Sequence, residues 1–126
     1  MADPREDEDE QPPEVRQTPL LQISNGVVAL HKRYYGKGPE SCRVMYHGDV
    51  VVVVLRGNFT HLETTLVASG RVEPVLQQRR ALQLVTEEAM KALVSDATGR
   101  AVDAFMSANH AAPDAQVEVF LLRPEG

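Results

Sequence analysis

Cys42 is the only cysteine in this 126-residue chain. An internal disulfide is therefore excluded, as is a structural zinc site built on paired thiolates, and the usage fits a reducing cytosol. Nowhere do about 18 uncharged apolar residues run together, and the acidic N-terminus lacks the apolar stretch of a secretory signal. The expectation is a soluble, cytoplasmic protein, neither exported by the usual route nor spanning a membrane. No internal repeat is evident, and the length suits one domain with a core large enough to fold unaided.

What is present is unevenly distributed. Residues 1–16 hold seven acids against two bases, which accounts for the whole net charge of −5 and leaves eleven bases and eleven acids in the remainder. Pro12 and Pro13 interrupt this segment, and Val15 is its one sizeable apolar residue after the start. Burial cannot offset the entropy of ordering such a stretch, so residues 1–17 are expected to be a disordered acidic tail and 18–126 a single domain.

From Thr18 the pattern becomes structural. Thr18-Pro19 offers an N-cap hydroxyl followed by proline at the first helical position. Leu20, Ile23, Val27, Leu30 and Tyr34 then recur at steps of three and four, the spacing of one buried helical face. Asn25-Gly26 is also a hairpin signal, but the stripe runs through it, and glycine inside a helix costs only about 1 kcal/mol relative to alanine. Arg43–Tyr46 and Val50–Leu55 read as strands joined at His47-Gly48-Asp49. Thr60 and Glu63 form a capping box opening a short helix from His61 to about Ser69.

Glu73-Pro74 opens a longer helix ending near Asp96, with Gly99 beyond and a main stripe of Val75, Leu82, Val85, Ala89 and Leu93. Leu76, Met90 and Val94 fall off that stripe as a second apolar patch. Residues 101–108 and 116–122 complete a second hairpin, the last strand directing Val117, Val119 and Leu121 one way and Gln116, Glu118, Phe120 and Leu122 the other. The predicted fold is α+β, in the order α-β-β-α-α-β-β, with an antiparallel four-stranded sheet packed against helices.

The stretch HKRYYGKGPE, residues 31–40, carries the most chemistry. His31, Lys32 and Arg33 fall in the last helical turn, where the carbonyl end of the dipole favours cations, and Gly36 suits a left-handed cap. A Walker-type phosphate loop opens a helix, whereas this Gly-Lys-Gly closes one. His31, His47, His61 and His110 lack metal-ligand spacing, and nothing orients Cys42 as a nucleophile; no catalytic constellation, metal or cofactor is expected. The candidate contact residues are His31, Lys32, Arg33, Tyr35, Gly36, Lys37, Gly38 and Pro39, serving a partner protein, a small anion or, as the runner-up, nucleic acid stacked on the tyrosines.

LHKRYYGKGPE at 30–40, LRGNFTHLE at 55–63 and TGR at 98–100 together resemble the MpsC family of small bacterial proteins, over roughly Leu21 to Leu122. The Tyr-Gly-Lys-Gly-Pro core is the most specific part. The resemblance implies an accessory role beside membrane proteins that handle Na+ or inorganic carbon, in a system that generates membrane potential. It supplies no catalytic residues. A soluble, non-enzymatic accessory or regulatory domain follows, peripheral to the membrane through a membrane-protein partner. The run VVVVVL adds one expectation, because it leaves neither strand face polar: a homodimer joined by the sheet face. The alternative is that the first helix crosses over and covers that face within one chain.

Overall fold

Thr18 caps its helix as its chemistry requires, its hydroxyl accepting from the Leu21 N–H at 3.2 Å, and Pro19 begins helix α1, Pro19–Tyr35. The computed structural model describes residues 18–125, and the expected acidic tail lies outside them. Asn25 and Gly26 continue α1 rather than turning it. Gly26 is needed there for packing, since a Cβ at that position would collide with the Leu93 side chain on the long helix. Gly36 closes α1 with φ at 81°, its N–H donating to the Lys32 carbonyl at 3.0 Å.

The remaining elements follow in the predicted order. Strands β1 (Ser41–His47) and β2 (Val50–Arg56) form the first hairpin, and helix α2 (His61–Ala68) opens on the expected capping box between Thr60 and Glu63. Helix α3 (Val72–Thr98) ends at Gly99, and β3 (Val102–His110) and β4 (Ala115–Leu122) form the second hairpin. The sheet is antiparallel with strand order β1-β2-β4-β3, so β2 and β4 are interior.

Helices α1 and α3 cover one face of this sheet. Ile23 and Val27 of α1 and Met90 and Val94 of α3 pack with Val51, Val53, Leu55, Phe120 and Leu122 in one buried cluster. Each such side chain contributes roughly 1.5–3 kcal/mol relative to remaining in water. Three sequence expectations need correction. Tyr34 and Leu20 are 37% and 42% exposed, and the buried face of α1 is instead Ile23, Val27 and His31. Val85 is 66% exposed, while Met90 and Val94 are core and not a separate patch. The first helix does not cross to the far side of the sheet, since it shares its core with α3.

Among the described residues the far face is therefore without a helix. By register, Met45, Val52, Val119 and Met106 make one row across all four strands. His47, Val50, Leu121 and Ala104 lie in the next row on one side, and Arg43, Val54, Val117 and Ala108 on the other. No acid occurs in these rows.

Candidate functional site

The buried face of α3 reads Val75, Arg79, Gln83, Thr86, Met90 and Val94, apolar at both ends and polar in the middle. Arg79 is 1% exposed and makes a paired contact with Glu63 of α2, Nε to Oε2 at 2.8 Å and Nη2 to Oε1 at 2.6 Å. Its Nη2 also donates to the Asn58 carbonyl at 2.7 Å, and its Nη1 to Gln116 Oε1 at 3.4 Å. Asn58 Nδ2 donates to the same Gln116 oxygen at 2.7 Å, and Gln116 Nε2 reaches Glu118 Oε1 at 3.5 Å. Glu118, 1% exposed, faces His31 Nε2 at 3.6 Å.

Tyr35 completes the ring. His31 stacks on it at 5.1 Å between centroids, and the Arg79 guanidinium lies 4.1 Å from its centroid. The sequence Glu118, His31, Tyr35, Arg79, Glu63 thus forms a layered stack with a carboxylate at each end, bridged beneath by Gln116. Removing one partner from such a buried arrangement leaves a charge uncompensated, which is why it requires every member in place.

The local electrostatics follow from the packing. Burial pushes the Glu63 carboxyl up, but the Arg79 hydrogen bonds, the Thr60 N–H and the Arg79 charge outweigh it and hold the group below its ordinary value. Burial pushes the Tyr35 phenol up more strongly than the neighbouring Arg79 charge pulls it down. Cys42 is also pushed up, chiefly by burial, which makes its thiol a poor nucleophile.

The predicted contact residues divide between these environments. His31 and Tyr35 turn inward to the stack, while Lys32 and Arg33 are exposed on the opposite side of α1. Gly36 is the cap, and Lys37 spends its ammonium on the Gly57 and Phe59 carbonyls at 3.2 and 3.0 Å. Gly38 lies against Val28 and the Lys32 stem, closely enough that a Cβ would sit 3.3 Å from Val28 Cγ1, and Pro39 is half-buried. Sequence reasoning missed Arg79, Glu118, Gln116 and Asn58. The signal was the spacing of Arg79, Gln83 and Thr86 within a stripe whose ends are apolar, and the placement of Gln116 and Glu118 on the same side of β4 as Phe120 and Leu122.

Beside the stack, the end of α1, the start of α2 and the middle of α3 enclose a groove of about 640 Å3. Its walls are Tyr34, Tyr35, Leu62, Ala81, Leu82 and Val85, with Glu63 among its few polar groups. Among the described residues no three His, Cys, Asp or Glu side chains gather as a metal cluster.

The family model described as "Na+-translocating membrane potential-generating system (MpsC)" matches residues 19–124, nearly the whole chain. The chain belongs to the MpsC family. No curated protein and no solved structure matches it. In this MpsC-family chain the segments that carried the resemblance have visible structural work. The Tyr-Gly-Lys-Gly-Pro core ends α1 and anchors the β2–α2 connection through Lys37. Arg100 of the Thr-Gly-Arg segment donates to the Gly48 carbonyl at 2.8 Å and the Arg123 carbonyl at 2.9 Å, and pairs with Asp49 and Glu125. These ion pairs and its hydrogen bond to the Tyr46 hydroxyl push the Arg100 guanidinium further up from an already high value.

Proposed function

We propose that this MpsC-family chain is a non-catalytic accessory module. It acts from the cytosol beside a membrane ion system, reaches the membrane through a protein partner, and assembles as a two-fold homodimer through its bare sheet face. The observation that carries the reading is the row Met45, Val52, Val119 and Met106, in which Met45 and Met106 are 44% and 50% exposed. An exposed row of large apolar side chains on a sheet face is one of the marks of a protein-contact surface. A second copy suits it because every strand contributes and the central rows contain no acid that would be stranded by burial, and two-fold pairs are the commonest closed assembly.

Two further facts support the membrane association through a partner. The family description names a membrane potential-generating system, and among the described residues no helix is long and apolar enough to cross a membrane. Light scattering at micromolar protein tests the assembly. The expected result is a dimer that Val52→Asp converts to monomer; a wild-type monomer overturns the sheet-face dimer. Fractionation of cells with and without the partner membrane system tests attachment, which is expected only when that system is present.

A further inference from the structure

We infer that the helix side of the domain holds a binding site for an organic ammonium, its apolar body in the groove and its charged head against Glu118. The groove of about 640 Å3 lies within the size range of small-molecule sites and is walled mainly by apolar and aromatic side chains. Next to it is a second, much narrower cavity of about 10 Å3, lined by His31, Gln83, Thr86, Gln116 and Glu118 among others. That volume holds one water-sized group, the size of an ammonium head. Tyr34 and Tyr35 line both spaces and form the partition.

The partition has one fixed and one movable half. Tyr35 is held between His31 and Arg79, with ring contacts of 5.1 and 4.1 Å. Tyr34 is 37% exposed and has only Arg33, 5.6 Å from its centroid, as a ring partner. In the proposal Tyr34, as the less constrained of the two, is the ring that turns to join the spaces, and its face then offers a cation–π contact at the passage.

Charge selects the head group. Glu63 and Glu118 are the carboxylates lining the two spaces, and no lysine or arginine lines either one. Glu63 is matched by Arg79. Glu118 has no guanidinium contact of its own, its neighbours being His31 at 3.6 Å and the Gln116 amide at 3.5 Å. Beside it, His31 Nδ1 and Gln83 Nε2 are buried without a hydrogen-bond partner. A half-turn of the Gln83 amide presents its oxygen instead of its nitrogen. Glu118 and the turned Gln83 amide then supply acceptors for N–H donors of a primary ammonium. An anionic head would meet a carboxylate in both spaces.

The site lies on the opposite side of the sheet from the proposed dimer face, so neither reading depends on the other. Its test uses 2-phenylethylamine and its acidic counterpart 3-phenylpropionate as probes of the full chain. The chain has three tyrosines and no tryptophan, so Tyr34 and Tyr35 dominate its intrinsic fluorescence. The amine is expected to change that fluorescence saturably and the acid is not. Glu118→Gln, checked for folding by circular dichroism, is expected to weaken the amine by about tenfold or more, as loss of a charge-assisted contact requires. If that variant does not fold, Val85→Asp at the exposed groove wall takes its place and is expected to block the apolar body of the amine. Equal binding of both probes, no saturable binding of the amine, or unchanged affinity in the folded variant each overturns the proposal.

Discussion

Val51, Val53 and Leu55 lie against the helices, whereas Val50, Val52 and Val54 of the same strand look away from them. The covered face also contains Gln116 and Glu118, both almost wholly buried, while the three central rows of the open face contain no acid at all. Polarity is thus placed opposite to what solvent exposure alone would select. The covered face can hold a carboxylate because His31, Gln116 and Arg79 fix its surroundings, and a fixed polar network specifies one packing. The open face offers chiefly aliphatic side chains, with Arg43 and His47 at its β1 edge, and no polar network of its own.

The most severe way to break this contrast is to remove the cation from the covered side. Arg79→Ala leaves Glu63 buried and unpaired and is expected to cost about 3–5 kcal/mol in urea unfolding, whereas a double Arg79→Met, Glu63→Leu variant should recover most of that loss. The same pair makes stability depend on acid. Because Glu63 is held below its ordinary value, its stabilisation is complete above the unfolded-state value of about 4.3 and is lost as pH falls through the lower folded value. The urea midpoint should therefore fall as pH drops below about 4, and the profile of Glu63→Gln should be flatter across that window.

A paired truncation on one strand sharpens the comparison. Val53→Ala empties part of the core and should cost about 2 kcal/mol at any protein concentration. Val52→Ala, one residue away, should cost under about 0.5 kcal/mol in the monomer and should lower the melting temperature more when the protein is concentrated enough to pair. A smaller effect than emptying the core belongs to neither face. Gly36→Ala meets no neighbour but must hold a positive φ, so a loss of about 1 kcal/mol is expected, seen as a lower melting temperature.

The order of elements was legible because most boundaries are written in local chemistry, the start of α3 at Val72, one residue before the expected Glu73-Pro74 and without a side-chain cap, being the exception. Thr18-Pro19, the Thr60–Glu63 box, Gly36 and Gly99 act on their own few residues, and each is found as the sequence implies. The alternation of β4 was legible for the same reason, its two faces being set by the pleat. The buried face of α3 was not. Counting apolar positions selected Leu82 and Val85, whereas the helix turns Arg79, Gln83 and Thr86 inward. Whether an arginine can be buried depends on partners brought from Asn58, Glu63 and Gln116 by the fold, and spacing along one helix contains no information about them. The surroundings of His31 were hidden for the same reason: a position in the last turn of α1 favours a cation, but the carboxylate it faces lies 87 residues later on β4.

The strand order β1-β2-β4-β3 also has a consequence for synthesis. Of the four strands described, the one translated last occupies an interior place, between one neighbour made long before it and another made just before. Until Ala115–Leu122 emerges, β2 presents a run of valines with an unpaired edge, and the carboxylate that faces His31 does not yet exist. An open edge of this composition is a template for pairing with other nascent copies. Completion of the sheet must wait for a contact between distant parts of the chain, which makes the final step slow relative to forming either hairpin and exposes it to capture by a chaperone.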